Sequence, residues 1–371
     1  FTGTTSNERA VFKLNGADHI ILDSMTILNN DLTYGFGVHL TNNADSNVIQ
    51  NSIITVDQAS TSANFAGICI TGLTATTAGA SGNGNLIQNN EINGGYYGIS
   101  MQGLSTTVFD QDNRVVGNTV NNTYYYPIRC YSQNNTLVNK NTINFRVSGS
   151  TSGYMIYMYY ADRFEVSQNE IRRGGAYGIY TYYGNYQGGS STTRASIINN
   201  MVGGTWLGTA PYGIYLSTNS VGIDVFHNSV SHTTGNGRAL YVTGGSANDI
   251  RNNSFSHSGS STGYAAYVSS TAYVSGMDFN NYYCPGSANF IFVGVAYSPT
   301  TYQGGGGFNA NSRDGNPDYI DPVNDLHVTG TQLFDGGSLG LGVTVDFDDE
   351  ARPNIFSVIP DIGADEYMPD S

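Results

Sequence analysis

The sequence is short of charge: only 11% of its 371 residues are Asp, Glu, Lys or Arg, against roughly 25% in ordinary soluble domains. Lysine occurs only at Lys13 and Lys140, and the net charge is −14. Because clustered Lys and Arg are needed to neutralise phosphates, we expect no nucleic-acid partner. The sequence has no apolar run of about 18 residues, which argues against membrane insertion.

Cysteine and helix-forming residues are also scarce. Cys69, Cys130 and Cys284 cannot all pair, and none has metal-ligand spacing, so we expect three small buried side chains. Too little Ala, Leu, Glu and Lys is present for a coiled coil or a helical bundle. No signal peptide is visible where the chain opens at Phe1. The abundance of Asn, Thr, Ser, Gly and Tyr nevertheless suggests a secreted or cell-surface module, part of a larger polypeptide.

What the sequence does have is an internal repeat of roughly 30 residues, within the 20–45 residues typical of solenoid units. The repeats carry a marker that in its full form is an aromatic residue, Gly and an aliphatic residue, and that has one position changed in some copies. Clear copies are Phe36-Gly37-Val38, Ala66-Gly67-Ile68, Tyr97-Gly98-Ile99, Tyr126-Pro127-Ile128, Tyr154-Met155-Ile156, Tyr177-Gly178-Ile179 and Tyr212-Gly213-Ile214.

A second unit, Asn followed two residues later by an apolar residue, falls between the markers. Asparagine tolerates the left-handed backbone conformation of a sharp corner, and stacked amides can hydrogen-bond from one coil to the next. The pattern therefore predicts a ladder of structural asparagines, and its members are Asn51, Asn90, Asn118, Asn141, Asn169, Asn200, Asn228 and Asn253.

Short alternating strands without intervening helices favour a coil in which each turn pairs in parallel with the next. These repeats resemble the right-handed parallel β-helix, the pectin-lyase-like fold, over about residues 10–285. The fold class we predict is all-β: a single-stranded right-handed parallel β-helix (solenoid) of about ten to eleven coils, its handedness implied by the resemblance. We expect the helix to occupy residues 1–285 and an irregular C-terminal capping segment to occupy residues 286–371.

Both ends of the chain carry a narrower resemblance. The opening segment 10–20 and the closing motif 346–353 with 361–367 are similar to segments of large secreted surface proteins of Bacteroidetes-type bacteria. Such proteins include polysaccharide-degrading enzymes, adhesins and passengers of unknown role, so the resemblance implies a fold and a location but no activity. The resemblance also implies that Arg352 pairs with acids of the closing motif, such as Asp361 or Glu366, and so holds the C-terminal capping segment in place.

The register places a column of outward side chains one residue after each inward aliphatic residue. Aromatic rings with a polar hydroxyl suit stacking on sugars, although stacked rings also stabilise neighbouring coils, and both interpretations stay open. The predicted ligand-binding residues are Arg129, Tyr131, Tyr157, Tyr159, Tyr180, Tyr182, Tyr215, Tyr241 and Tyr267. Three longer insertions, at 74–85, 104–112 and 184–194, follow this column and are expected to wall a groove or to be tolerated surface loops.

Catalytic chemistry is harder to find. A glycosidase needs two nearby carboxylates, and the stacked candidates Glu165, Asp224 and Asp249 lack a recognisable signature, so we assign no catalytic residue. His232 and His257 share an offset but have no further metal ligands nearby in the pattern. We expect no cofactor, although the alternating Asp346, Asp348 and Glu350 could hold calcium.

Taken together, these patterns favour a non-enzymatic extracellular surface module, an adhesin or stalk segment, that presents a tyrosine-rich face to a glycan or a cell-surface protein. The alternative is a polysaccharide lyase or glycoside hydrolase that acts in a groove beside the same face. Ice binding would require regular Thr columns, and the Thr residues here are scattered.

Overall fold

The computed structural model describes residues 5–189, 192–259, 262–287 and 289–368. Short strands repeat in the same order once per coil and pair in parallel with the equivalent strands of the neighbouring coils, which generates three long sheets. This arrangement confirms the predicted all-β solenoid of about eleven coils. Among the described residues, no helix has the length and apolar character needed to span a bilayer.

The first sheet contains the longest strands and follows the aromatic markers of the sequence. Its strands are Ala10–Asn15, Gly35–Thr41, Phe65–Ile70, Tyr97–Gln102, Asp110–Gln111, Tyr126–Asn134, Tyr154–Asp162, Tyr177–Tyr182, Tyr212–Leu216, Arg238–Val242, Tyr264–Val268, Ile291–Val293 and Val295–Tyr297. The last of these strands pairs antiparallel with Ile291–Val293.

The second and third sheets consist of shorter strands that flank the asparagine corner. The second sheet contains Ile21–Asp23, Val48–Gln50, Leu86–Gln88, Arg114–Val116, Leu137–Asn139, Glu165–Ser167, Ala195–Ile198, Ile223–Phe226, Asn248–Arg251 and Val274–Asp278. The third sheet contains Thr26–Leu28, Ile53–Thr55, Glu91–Asn93, Thr119–Asn121, Thr142–Asn144, Glu170–Gly174, Met201–Trp206, Ser229–His232, Ser254–His257, Asn281–Tyr283 and Arg313–Asp314.

The core is a set of stacked aliphatic columns inside the coil. Ile99, Ile128 and Ile156 occupy equivalent positions on neighbouring strands and are fully buried. The glycine of the marker also points inward: a Cβ at Gly98 would lie 2.5 Å from the Val120 side chain. At Gly98 the core therefore leaves no room for a side chain, whereas two other coils have the buried Pro127 and Met155 at this position.

The asparagine ladder runs along the corner between the second and third sheets. Asn169 is typical: its backbone N–H and its Nδ2 both donate to Asn200 Oδ1, at 3.0 Å each, and Nδ2 also donates to Val138 O at 2.8 Å. Asn141 donates to Asn169 Oδ1 in the same way. The same coil-to-coil bonds join the fully or almost fully buried side chains of Asn90, Asn118, Asn141, Asn169, Asn200, Asn228, Asn253 and Asn280.

Two details of the predicted ladder are wrong. Asn51 does not lie in it, because Ile54 rather than Ile53 pairs with Ile92, and Ser52 therefore occupies the ladder position and donates its N–H to Asn90. The left-handed residue of the corner is the one before each ladder asparagine, as Asn51 itself shows with φ of 52°. The ladder asparagines thus serve hydrogen bonding, and their neighbours make the turn.

The C-terminal segment packs along this same corner. Successive left-handed corner residues bind it: Gln168 Nε2 donates to Asp346 O at 2.9 Å, and Asn199 Nδ2 donates to Val345 O at 2.7 Å. Farther along, Asn252 Nδ2 donates to Ser338 O at 3.0 Å. The corner therefore acts as a docking strip for the segment. Other elements of the segment are the strands Tyr319–Asp321 and Asp325–Val328 and the short 3-10 helix Gly305–Gly307; a second 3-10 helix is Thr271–Tyr273.

The boundary expected at residue 285 falls inside the last coils of the solenoid. Ile291–Val293 pairs in parallel with Tyr264–Val268, and Arg313–Asp314 pairs in parallel with Asn281–Tyr283. Residues beyond 285 therefore contribute strands to the first and third sheets before the chain turns back along the corner.

Candidate binding face

The outer face of the first sheet carries three parallel columns of tyrosines, which together we call the tyrosine platform. The columns exist because equivalent residues of successive coils pair in register, for example Tyr154 with Tyr177 and Tyr157 with Tyr180. The marker column contains Tyr126, Tyr154, Tyr177, Tyr212 and Tyr264; the central column contains Tyr157, Tyr180, Tyr215, Tyr241 and Tyr267; the third column contains Tyr131, Tyr159 and Tyr182. All of these side chains are partly exposed.

Sequence reasoning missed the marker column, although its aromatic residues were visible in the repeat. Here the rings stack face to face: Tyr126 and Tyr154 lie 5.4 Å apart at 16°, and Tyr154 and Tyr177 lie 4.2 Å apart at 10°. Because each ring covers the face of the next, this column presents mainly ring edges and hydroxyls to solvent. Such stacking contributes to coil-to-coil stability.

The central column is less regular. Tyr157 and Tyr180 are inclined by 30° at 5.3 Å, whereas Tyr180 and Tyr215 are nearly perpendicular, at 81° and 4.9 Å. In the perpendicular pair the edge of one ring meets the face of the other, so this column is not a uniform stack. Burial, together with neighbouring hydroxyls, raises the pKa of Tyr157, and burial raises that of Tyr180 to about 12. These phenols therefore remain neutral hydrogen-bond donors and acceptors at ordinary pH.

The platform continues around the end of its strands. Tyr160 and Tyr183 follow the third column and stack on each other at 4.6 Å and 15°. Both have left-handed backbones, with φ of 48° and 51°. This conformation is strained for a bulky residue, and strained residues concentrate at functional sites.

Two arginines lie in the platform. Arg129 is almost fully buried; its guanidinium donates to Gln102 Oε1 at 2.8 Å and lies 5.0 Å from the Tyr131 ring. Sequence reasoning placed Arg129 alone among the tyrosines, but Arg238 is there too, in a tyrosine position of the marker column. Its guanidinium lies 4.6 Å from the Tyr241 ring, a distance typical of a cation–π contact.

The first insertion covers the face of the N-terminal coils. Ser100, on the coil before Arg129, donates its hydroxyl to Ala75 O at 2.6 Å. His39 Nε2 lies 2.7 Å from Gly72 O, and burial lowers the pKa of this imidazole to about 4. The outward column is therefore closed over its first coils, and the exposed platform begins beyond Ser100.

The other two insertions meet beside the platform. Gln187, in the insertion 184–194, donates its side-chain amide to Thr106 O in the insertion 104–112. Residues 190 and 191 of that segment lie outside the described residues. Asp162, at the end of a platform strand, accepts from Gly188 N at 2.7 Å and so holds the later insertion in place. The two insertions therefore form one wall at the edge of the third column.

The predicted acids lie on other sheets. Glu165, Asp224 and Asp249 belong to the second sheet. Arg194 pairs with Asp224 at 2.6 Å, and Arg251 pairs with Asp249 at 2.8 Å. Asp224 and Asp249 are therefore structural ion-pair partners, and Glu165 accepts a hydrogen bond from the Ser167 hydroxyl at 2.6 Å. None of the three acids lies beside the tyrosines.

Two buried acids lie at the ends of first-sheet strands, Asp110 and Asp162. Burial raises the pKa of Asp110 to about 7 and raises that of Asp162 as well. One coil lies between the two acids. Asp110 pairs with Gln133 and Asp162 pairs with Asn134, from opposite sides of the strand Tyr126–Asn134. The sequence placed Asp110 in an inserted loop but did not predict the raised pKa of either acid, because these pKa values depend on how the insertions cover the carboxyls.

His232 and His257 occupy paired positions on neighbouring strands of the third sheet, and both are fully buried inside the molecule. Their ring nitrogens are buried without a hydrogen-bond partner in the described part of the chain. Burial lowers the pKa of His232 to about 3 and that of His257 to about 4. Both rings are therefore neutral core groups.

The closing motif pins the C-terminal segment. Arg352 NH1 lies 2.8 Å from Glu366 Oε1, with both side chains fully buried, and 2.6 Å from His227 Nδ1 at the corner. Asp346 accepts backbone N–H groups at both of its oxygens. Asp348 faces a histidine of the same segment, and Glu350 is exposed.

The comparison with known families decides the handedness of the coil. A family model described as a right handed beta helix region matches residues 63–230. The solenoid is a right-handed parallel β-helix. The match covers the coils that carry Tyr97 through Tyr215, so the platform belongs to the β-helix itself. No curated protein matches the chain.

Proposed function

We propose that this β-helix is a non-enzymatic extracellular binding module, an adhesin or stalk segment, and that the tyrosine platform is its binding face. The observation that carries the proposal is a half-exposed aromatic surface that extends over consecutive coils. Exposed amphipathic patches of this kind mark interaction sites. The C-terminal segment leaves the platform open, since no described residue of 298–368 makes a hydrogen bond or ring contact with it.

The chemistry of the platform favours a glycan as the partner. A hydroxyl at each ring edge offers hydrogen bonds at intervals of roughly 4.8 Å along the coil axis. The partly exposed rings of Tyr180 and Tyr215 also offer apolar surface against which a sugar can pack. The low charge of the protein supports a neutral polar ligand over nucleic acid. A cell-surface protein remains the other partner class that such a surface suits.

An extracellular location is part of the proposal. It rests on the composition, which is rich in Asn, Thr, Ser, Gly and Tyr, and on the resemblance of both chain ends to bacterial surface proteins. In this setting the rigid rod of coils would hold the platform away from the cell as part of a longer polypeptide.

The test is binding on a polysaccharide array. The protein is compared with a variant in which Tyr157, Tyr180 and Tyr215 are all replaced by Ser. The proposal expects the variant to lose at least tenfold in affinity while it keeps the fold, as measured by circular dichroism.

The matched control replaces Tyr34, Tyr273 and Tyr283 by Ser, three partly exposed tyrosines away from the platform. This control should bind like the unchanged protein. Binding to no glycan or surface protein, or equal binding by both variants, would remove the platform as the binding face.

The alternative enzyme function has one observation in its favour, the raised pKa of Asp110 and Asp162. An acid kept protonated near neutral pH is what a general acid requires. Both carboxyls are covered, which disfavours direct contact with a polymer. Depolymerisation of an array glycan that disappears in Asp110→Asn would support the enzyme and contradict the proposal.

A further inference from the structure

A mixed cluster of ligand-type side chains lies in the C-terminal segment, away from the platform. At its centre is His327, on the strand Asp325–Val328. Nε2 of His327 lies 2.8 Å from Asp348 Oδ2, and Nδ1 bonds the carboxylate of Asp325. Asp365 completes the group, and the ligand atoms of His327, Asp348 and Asp365 all lie within 4.8 Å of one another.

The cluster has the internal order of a metal site. Asp325 accepts from Nδ1 of His327 and also from its backbone N–H, at 3.1 Å, so it fixes the orientation of the ring. In metal sites a carboxylate commonly holds one histidine nitrogen in this way while the other nitrogen binds the ion. Here the other nitrogen, Nε2, points to Asp348 and the remaining ligand atoms.

Asp365 supplies an independent observation. The residue is 9% exposed, and its Oδ2 accepts the Val328 N–H at 2.8 Å. No described donor reaches its other oxygen. A carboxylate so deeply buried normally has its charge balanced by hydrogen bonds or a counter-ion, and this one lies beside the imidazole and a second carboxylate.

The spacing of these atoms fits an ion. A tetrahedral Zn²⁺ with ligand bonds of about 2.0–2.1 Å holds its ligand atoms ~3.4 Å apart. Side-chain shifts on the order of 1 Å would bring the three groups to that separation. The cluster opens to an adjacent cleft lined by Ile320, Glu350 and Tyr367, which provides access for the ion and room for a water ligand.

We propose that His327 Nε2, Asp348 and Asp365 form a divalent transition-metal site, with Asp325 as the residue that orients the imidazole. One nitrogen and two carboxylate ligands favour Zn²⁺ or Mn²⁺ over Ca²⁺, which prefers six or more oxygen ligands. The site differs from the calcium set expected from sequence, because both oxygens of Asp346 already accept backbone N–H groups.

The site would act as a clip. His327 comes from the Asp325–Val328 strand, whereas Asp348 and Asp365 come from the two halves of the closing motif. An ion held by all three would join these parts and tighten the segment against the corner. Anything that binds only the folded state raises the melting temperature, so the ion should do so as well.

The experiment titrates Zn²⁺ into the chelator-treated full chain by calorimetry, with Mn²⁺ and Ca²⁺ run in parallel. We expect one Zn²⁺ per chain, with Ca²⁺ at least tenfold weaker, and a rise in melting temperature. Asp365→Asn, which keeps the Val328 hydrogen bond, and His327→Gln should each weaken Zn²⁺ binding at least tenfold. Asp325→Asn should weaken it about 10–100-fold, the usual cost of losing an orienting partner.

The matched control is His19→Asn, which removes an exposed histidine and keeps a residue that tolerates its positive φ of 58°. It should bind Zn²⁺ like the unchanged protein. Circular dichroism in the absence of metal confirms that each variant is folded. Absence of Zn²⁺ binding, tighter binding of Ca²⁺, or binding that survives both His327→Gln and Asp365→Asn would overturn the proposal.

Discussion

The asparagine ladder and the tyrosine platform are both columns built by the same coil repeat, yet they treat their polar groups in opposite ways. In the ladder, the side chain of Asn169 is fully buried, and both its amide nitrogen and its oxygen are hydrogen-bonded within the protein. In the platform, Tyr157 and Tyr180 are partly exposed, and their outer edges face solvent. One column uses its hydrogen-bonding capacity internally, and the other keeps much of it available.

This difference separates residues that hold the fold from residues that are free to bind. A buried amide without partners is costly, so a ladder position tolerates little change. An exposed hydroxyl exchanges one hydrogen-bond partner for another at small net cost. The marker column lies between the two cases, because its rings are stacked but its hydroxyls reach solvent. Four predictions test this comparison, from the largest expected effect on stability to the smallest.

The largest effect is expected for Asn169→Leu. The substitution leaves the N–H of Asn141 and the carbonyl of Val138 without their partners inside the protein. Because each unsatisfied buried group costs about 1–3 kcal/mol, the free energy of unfolding should fall by about 2–4 kcal/mol. Urea denaturation measures the change.

The control for the ladder is Asn121→Leu. Asn121 donates to Asn93 Oδ1 at 3.1 Å and accepts from Asn144 Nδ2 at 2.9 Å on the neighbouring coils, but its side chain is partly exposed. Its replacement should cost less than about 0.5 kcal/mol, as for most surface substitutions. Equal costs at Asn121 and Asn169 would contradict the distinction between buried and exposed columns.

Acid provides the second test, through the buried pair His232 and His257. Their pKa values, about 3 and about 4, lie below the ordinary value of 6.5, so the unfolded chain takes up protons first as the pH falls. The stability that they contribute is fully present above pH 6.5 and is lost as the pH falls toward 4. We expect the unchanged protein to lose more stability over this interval than a variant with Gln at both positions.

Denaturation at several pH values between 4 and 7 measures this difference. Other buried groups titrate in the same range, so only the difference between the two proteins reports on the histidines. Parallel pH profiles for the protein and its double variant would show that the two imidazoles are not neutral core groups.

The third prediction concerns stacking in the marker column. Tyr177 lies between Tyr154 and Tyr212, at 4.2 and 5.5 Å. Each stacked pair contributes about 0.5–1.5 kcal/mol, so Tyr177→Ala should lower the free energy of unfolding by about 1–3 kcal/mol. Tyr177→Phe, which retains the ring, should change it by less than about 0.5 kcal/mol. A large loss in the Phe variant would mean that the hydroxyl, rather than the ring, stabilises the coil.

The smallest effect on stability is expected in the central column. Replacement of Tyr157, Tyr180 and Tyr215 together by Phe keeps the rings and removes the hydroxyls of three partly exposed side chains. The free energy of unfolding should therefore change by less than about 1 kcal/mol. Glycan affinity should nevertheless fall severalfold, since each lost hydrogen bond is worth about 0.5–1.5 kcal/mol. Unchanged affinity on the polysaccharide array would show that the hydroxyls play no part in binding.

Much of the fold could be predicted from the sequence because the same motif recurs in many coils, so a departure in one copy does not obscure the period. Seven copies of one marker fix the period, and their inward aliphatic residues pair from coil to coil as the spacing predicts. The error at Asn51 arose where a coil departs from the pattern: Ser52 replaces the ladder asparagine, and Asn51 makes the turn. A single coil read alone does not separate these two roles.

The candidate site was less predictable because it depends on what covers each column. The outward column includes His39 and Ser100, yet both are buried, Ser100 against Ala75 of the first insertion and His39 against Gly72. Strict two-residue alternation would place Tyr97 on the same side as the inward Ile99. Alternation fails here because Gly98 and Ile99 both lie on the inner side, and the marker column was therefore missed. The path of the C-terminal segment depends on side chains such as Gln168, more than 170 residues away in the chain.

The central claim is that the tyrosine platform contacts the ligand, and tyrosine-specific nitration read by mass spectrometry tests it most directly. The protein is nitrated with and without a glycan from the array, and modification is compared between platform residues and Tyr297 and Tyr367, which lie outside it. The account predicts that bound glycan protects Tyr157, Tyr180 and Tyr215 while both reference tyrosines react as before. Protection of the reference tyrosines, or equal reactivity of the platform with and without ligand, would contradict it.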